Sequence, residues 1–437
     1  MIATQFDVEF RKDGSIHDNS QVSRLLDGLD GLSDLLVLSH GWNNDKVEAA
    51  DLYDRFIRSV REIGDADVVP GAKCRRLGVV RVYWPSKKFA DKDLIPGGGA
   101  ASATKENEDS LLHLLDELKK DPVLLGGHEV DESREMPLDR AKQLLPELNS
   151  PEAQREFVQC LRAILNPDEK HEDDGSAEFF SQEPEMLFEN FTGPVNLSVA
   201  GGGGGATSMA GGAAGLFGDL LDGVAAGARR IANFATYYQM KSRAGSVGRG
   251  GLGLVLARIR GRKGDLPLHL IGHSFGGRVV TAAASTLETN TGGVTLTLLQ
   301  AAFSHNGFAM KFDHKHDGAF RTVLGDKRVA GPVLITHTKN DKAVGIAYPL
   351  ASRIARDVAS ALGDENDPYG GIGRNGALRT PEAEGLAGVL KEVGEEYRFE
   401  RHKVFNLRAD NFIKDHGDVT GHQVAYAFIH SLVVANS

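Results

Sequence analysis

The strongest constraint on this chain is a short run past its middle. A strand-like stretch, Leu268 to Ile271, ends in Gly272-His273-Ser274-Phe275-Gly276-Gly277 and passes directly into a Val- and Ala-rich helical pattern from Arg278 to about Leu287. A strand that turns at once into a helix belongs to a parallel sheet, because parallel neighbours need a covering crossover. Glycines flank the serine because side chains there would collide with the strand and the helix, and the turn lifts the serine clear of the sheet. The plainer alternative is a glycine-rich turn whose serine only caps the helix.

The rest of the chain repeats this rhythm. Leu35 to Leu38 is a continuous apolar run, as in a strand buried on both faces, and it stops abruptly at Ser39-His40-Gly41-Trp42-Asn43-Asn44. Val47, Leu52, Phe56, Ile57 and Val60 predict a helix next, capped by Asn44 or Asp45 and stopped by Gly64. Further strands are expected at Leu77 to Trp84, closed by Pro85, and at Val294 to Leu299, Val333 to His337 and Lys403 to Leu407. Helical patterns occupy Tyr237 to Arg260, in two pieces broken around Gly245 to Gly248, then Ala343 to Leu362 and Gly421 to Val434. The predicted fold class is α/β: a mostly parallel sheet flanked by helices, with Gly363 to Gly376 as a surface excursion.

The rhythm disappears between Ser86 and Ala226, which predicts an inserted cap or lid over 91–234 and a core made of 1–90 and 235–437. The whole chain carries 50 basic and 60 acidic side chains, but Ala101 to Asn190 alone holds 23 acidic against nine basic residues. Leu111, Leu112, Leu114, Leu115 and Leu118 predict one amphipathic helix there, and Phe157, Leu161 and Ile164 another. Gly201 to Gly205 and the Gly/Ala-rich residues up to about Ala235 predict a hinge or mobile loop.

Composition excludes several classes. A net charge of −10 argues against a protein built to neutralise nucleic-acid phosphates. The basic stretch Arg249, Arg258, Arg260, Arg262 and Lys263, interleaved with leucines, reads as the solvated face of an amphipathic helix. Two cysteines, Cys74 and Cys160, make no disulfide framework, and Met1 to Asp7 has neither basic flank nor apolar core, so a cytoplasmic protein with reduced thiols is expected. No apolar run is long enough to cross a bilayer. Phe217, Leu220, Leu221, Val224 and Ile231 beside Arg229 and Arg230 suit an interfacial helix or a lid, but packing on the sheet is preferred because the acidic neighbourhood opposes anionic lipid. Asp313-His314-Lys315-His316-Asp317 lacks a second ligand set, so no metal and no organic cofactor is expected.

A serine hydroxyl needs a base to take its proton, and the base needs an orienting carboxylate. With a G-x-S-x-G turn these partners follow in the order serine, acid, histidine. Asp341, at the end of Thr338-Lys339-Asn340-Asp341, is the expected acid, with helix capping as its other use. His416, in the loop Asp410 to Val419, is the expected base. It is preferred to His422 at the start of a helix and to His430 deeper in it, and Asp418 either orients the loop or caps the helix. The oxyanion of acyl transfer needs fixed N–H donors, expected from Phe275 and from Trp42, with Gly41 permitting close backbone approach.

Taken together, Leu38-Ser39-His40-Gly41-Trp42-Asn43-Asn44, Tyr83-Trp84-Pro85-Ser86, the turn around Ser274, Asn340-Asp341-Lys342-Ala343 and Asp415-His416-Gly417-Asp418-Val419 resemble the serine α/β-hydrolase superfamily. The likeness is greatest to its bacterial esterase/lipase-like branch and covers roughly 1–90 and 235–437. The resemblance implies a Ser274, Asp341, His416 triad that cleaves a carboxylic ester, of a small molecule or a lipid, through an acyl-enzyme. Amide hydrolysis by the same residues and a non-catalytic scaffold binding a protein through its acidic insertion are the alternatives. The long insertion departs from the family pattern.

Overall fold

The computed structural model describes residues 1–42, 44–86, 103–124, 127–130, 132–192, 223–289, 293–341, 365–386 and 388–435. Eight strands make the main sheet: β1 (Ile2–Glu9), β2 (Asp34–Ser39), β3 (Leu77–Tyr83), β6 (Leu268–His273), β7 (Val294–Leu299), β8 (Val333–His337), β9 (Gly388–Val389) and β10 (Val404–Arg408). Their order is β1-β3-β2-β6-β7-β8-β10-β9, and every neighbouring pair is parallel. β4 (Lys120–Leu124) and β5 (Gly127–Val130) form a separate antiparallel pair. The α/β expectation holds, with a sheet that is wholly rather than mostly parallel.

The central strands are buried without alternation because both faces are covered: β2, β6 and β7 are buried along their whole length, polar Asp34, His269 and Thr295 included. One face carries α2 (Lys46–Asp65) and the C-terminal helix His422–Ala435, which enclose Leu36, Leu38, Ile271 and Leu334. Asp45 begins α2 with a capping box, accepting from Val47 and Glu48 N–H while the Glu48 carboxylate accepts from Asp45 N–H at 2.7 Å, a device worth about 1 kcal/mol. The other face carries α1 (Asn19–Asp27), α8 (Val224–Ser246), α9 (Gly253–Arg262) and α10 (Phe275–Ala284).

The described residues of the segment 103–192 add no strand to the main sheet. The segment contains α3 (Ala103–Lys119), α4 (Glu132–Gln143), α5 (Pro151–Ala163), α6 (Ser176–Ser181) and α7 (Pro184–Thr192). The two helices read from leucine and phenylalanine spacing are α3 and α5. Buried charge joins this segment to the core: Lys241 of α8 pairs with Asp174, and Arg278 of α10 reaches Glu169 at 3.2 Å.

Three expectations need correction. Residues 224–235 form the first half of the 23-residue helix α8 rather than a mobile loop, and α8 runs through the expected boundary at 234/235. Ile231 and Arg230 are buried there, the latter donating to Phe191 C=O at 2.6 Å, so this face packs inward. Gly245 to Gly248 do not break the helix. The backbone widens into a π-helical stretch, Val247–Leu252, and continues as α9; Gly248 serves close packing, since a Cβ there would sit 2.5 Å from Val279 C=O of α10. Residues 367–377 are mostly buried, not a surface excursion, and cross the ends of β7 and β8 through Gly373 N–H to Ala301 C=O and Thr338 N–H to Gly373 C=O, both 3.0 Å. The expected helix at 343–362, the Gly-rich run 201–205, Asn43, Lys342, Phe217, Leu220 and Leu221 lie outside the described residues.

Candidate active site

β2 is followed by β3 on one side and β6 by β7 on the other, so the chain leaves these two neighbours in opposite directions. A parallel sheet opens a crevice at such a switch point, beyond the carboxyl ends of the strands. The ends here are Ser39 and His273, with Ser39 in register with Gly272. The loop His40-Gly41-Trp42 and the turn at Ser274 therefore meet at the one place where topology alone provides room.

Ser274 adopts φ 55° and ψ −127°, a left-handed conformation that costs a non-glycine residue on the order of 1–3 kcal/mol. Neighbouring backbone holds it there: Ser274 N–H donates to Leu299 C=O at 3.1 Å, and its own C=O accepts from Gly277 and Ala302 N–H, each at 2.9 Å. A Cβ on Gly276 would run into the carbonyls of Ser39 and His40, and one on Gly41 would sit 2.6 Å from Ser274 Cβ. The glycines thus let β2, its following loop and α10 close around the serine. The helix-capping alternative finds no support, because the Ser274 side chain makes no capping hydrogen bond.

Asp341 and His416 come together from β8 and the loop after β10. His416 Nδ1–H donates to Asp341 Oδ2 at 2.8 Å; the carboxylate is fully buried and the imidazole side chain one-quarter exposed. Burial presses the His416 pKa down, but the charge and hydrogen bond of Asp341 outweigh it, so the net shift is upward. Among the described residues Ser274 Oγ makes no hydrogen bond. The backbone of His416 is tied to the serine's own strand instead: His273 Nε2–H donates to His416 C=O at 2.8 Å, and the two rings lie 4.8 Å apart.

Phe275 opens α10, where a first-turn N–H has no partner within the helix. Phe275 and Trp42, expected to supply the oxyanion donors, each keep a backbone N–H without an acceptor among the described residues. Their rings meet edge to face at 5.8 Å, and Tyr237 of α8 packs on Phe275 at 5.5 Å. His40, to which the sequence reading gave no role, is completely buried and fixes this loop. Its Nδ1–H donates to Gly41 C=O at 2.9 Å, while Trp84 N–H donates to Nε2 at 3.3 Å. Burial lowers the His40 pKa to about 4, so the ring is neutral. A peptide unit is planar and trans, so pinning Gly41 C=O aims Trp42 N–H the opposite way. Ser86 of the Trp-Pro-Ser run braces the same loop by donating to Asn44 C=O at 3.0 Å.

A small apolar crevice of about 20 Å3, room for little more than a water molecule, lies beside His273, walled by Leu38, Leu52, Phe56, Ile271, Leu299 and Val419. The other candidates have local duties. Asp418 accepts from Lys414 N–H at 3.1 Å and so shapes the His416 loop; His422 pairs with Glu62 on the surface; the His430 ring packs between Tyr397 and Tyr426. Asp313 closes an exposed turn by accepting from Lys315 and His316 N–H. Among the described residues no group of three or more His, Cys, Asp or Glu could hold a metal ion, and no helix is long and apolar enough to cross a membrane.

No family model matches this chain, no curated protein matches it in sequence, and no solved structure matches it.

Proposed function

We propose that this protein is a serine hydrolase of α/β-hydrolase type that cleaves a carboxylic ester through an acyl-enzyme. The observation that carries the reading is the strained Ser274 at the switch point, with the Asp341–His416 pair hydrogen-bonded to the preceding residue.

His416 Nε2 accepts the hydroxyl proton as Ser274 Oγ attacks the ester carbonyl. Asp341 holds the Nδ1–H tautomer and stabilises the imidazolium that forms. Phe275 and Trp42 N–H bind the oxyanion, and His416 then gives its proton to the departing alkoxide. Water repeats these steps on the acyl-enzyme and returns a free carboxylic acid and Ser274. The Oγ to Nε2 contact closes when substrate binds, as catalytic hydrogen bonds commonly tighten in the complex.

The test is covalent labelling with a fluorophosphonate probe, followed by turnover of nitrophenyl esters of graded chain length beside peptide amides. Labelling that disappears in Ser274→Ala, with faster ester than amide turnover, is the expected result. An unlabelled wild-type protein sinks the enzyme reading, and faster amide turnover sinks the ester assignment.

A further inference from the structure

We infer that His273 is a positioning residue for the base: its side chain fixes the backbone of His416 relative to Ser274, so that one residue of β6 holds nucleophile and base in register. The inference rests on the reading of Ser274 and His416 given above.

The His416 loop has few ties to the body of the protein. Its flanks are held by Asn340 Nδ2, which donates to Asp410 and Ile413 C=O at 3.0 and 2.9 Å, and by Ser59 Oγ, which donates to Thr420 C=O at 2.6 Å. Between those anchors the bonds are internal, Lys414 N–H to Asp418 and Gly417 N–H to Asp415. His416 itself is bonded to other elements at two points, its ring to Asp341 and its carbonyl to His273. The first bond sets the rotation of the imidazole. The second sets where the backbone carrying it stands.

The hydrogen bonding of His273 agrees. A carbonyl only accepts, so Nε2 carries the proton and Nδ1 is left as a bare acceptor, buried and without a partner among the described residues. Leucine or methionine would fill the same space without leaving a buried nitrogen unsatisfied, so packing alone gives no reason for a histidine. Nor is His273 a rival base. Burial, and then the neighbouring His416, push its pKa down to about 3, which leaves the ring neutral and weakly basic.

The experiment uses the full chain with three substitutions. His273→Leu removes the donor, His273→Gln places an amide N–H where Nε2–H stood, and His273→Asn keeps an amide too short to reach. Two signals are read: kcat and KM on a nitrophenyl ester, and the downfield proton resonance of His416 Nδ1–H, assigned by its loss in His416→Ala. A displaced base is expected to cost about 10²-fold in kcat with KM unchanged. The Leu and Asn variants should show that loss together with a broadened resonance, and the Gln variant should recover most of both. Wild-type kcat and a sharp resonance in the Leu variant overturn the inference, as do equal losses in Gln and Asn. If the Leu variant does not fold, the contrast between Gln and Asn decides alone. A wild-type chain that turns over no ester or amide and takes no label fails the hydrolase reading, whereas the resonance contrast still reports whether His273 holds His416.

Discussion

Asp341 Oδ2 receives the Nδ1 proton of His416 across 2.8 Å, and the carboxylate that does so is shut off from solvent while the imidazole is not. That asymmetry divides the labour. The buried partner fixes a tautomer, and the partly exposed one can meet a substrate. Asp341→Asn keeps the shape but offers an amide that can donate to Nδ1, which puts the ring proton on Nε2 and leaves no bare acceptor facing Ser274. Turnover should fall by about 10⁴-fold while the thermal midpoint moves little. Steady-state kinetics beside a circular-dichroism melt check both halves, and full activity in the folded variant would move the acid elsewhere.

The same pair sets a pH dependence. Because Asp341 raises the His416 pKa above the ordinary 6.5, the proposed base stays protonated, and so unable to accept a proton, to a higher pH than a free histidine. The kcat/KM profile should therefore rise through an apparent pKa above 6.5, and Asp341→Asn should shift that midpoint down. Stability runs the other way. A raised native pKa contributes stability that is fully present below 6.5 and is lost as pH rises through the native value. Urea midpoints compared on either side of the activity midpoint test this second sign.

Much of this site was legible in the sequence because short-range rules govern its parts. Ser274, Gly276 and the β6 run lie within nine residues, and a strand, a strained turn and a helix follow from local chemistry. Asp341 and His416 were found as loop positions after strands, so chain order stood in for geometry. His273 and His40 escaped because each acts across the sheet, on a carbonyl 143 residues away and on an amide 44 residues away. No spacing rule encodes such pairs. β1 escaped for another reason: on an edge strand it alternates exposed and covered positions and shows no apolar run. Helix α8 departs from its composition: glycines and alanines suggest slack, whereas buried surroundings make small residues useful for close helix packing.

His40 gives a third prediction. Without its Nδ1–H donor Gly41 C=O keeps only the longer bond from Asn44 Nδ2–H at 3.3 Å, so the Gly41–Trp42 peptide is held less firmly and one of the two proposed oxyanion donors loses its alignment. His40→Leu should lower kcat by about 10²-fold or more. Affinity for a transition-state analogue should fall in step, while a substrate-like inhibitor binds as before, because only the charged intermediate uses that N–H. Parallel losses for both ligands would mean that the loop has collapsed instead. The variant should also lose about 1–3 kcal/mol of stability, since Trp84 N–H is left buried without an acceptor.

A second carboxylate–imidazole pair lies at the opposite end of the sheet and should behave in the opposite way. His269 Nε2–H donates to Asp34 Oδ1 at 3.1 Å, Thr295 Oγ1 donates to His269 Nδ1 at 2.8 Å, and Arg75 reaches both carboxylate oxygens at 2.9 and 3.0 Å. Asp34 opens β2 and Ser39 closes it, so at about 3.3 Å per residue this cluster stands roughly 16 Å from the serine end. All three β-strand side chains are sealed from solvent, so no substrate reaches them and their work is holding β2, β6 and β7 together. Burial would raise the Asp34 pKa, but His269, Ser33 and Arg75 together pull it down to about 2. A depressed native pKa contributes stability above the unfolded value of 3.8 that is lost as pH falls toward 2, here about 2 kcal/mol. Asp34→Asn should therefore be less stable than wild type by at least about 2 kcal/mol at neutral pH, with the gap narrowing below pH 4. Under the proposed function, nitrophenyl-ester turnover per folded molecule should be unchanged, because this cluster stands at the far end of the sheet from Ser274. A stability gap that stays constant down to pH 2 would show that the charge contributes nothing and that only shape was lost.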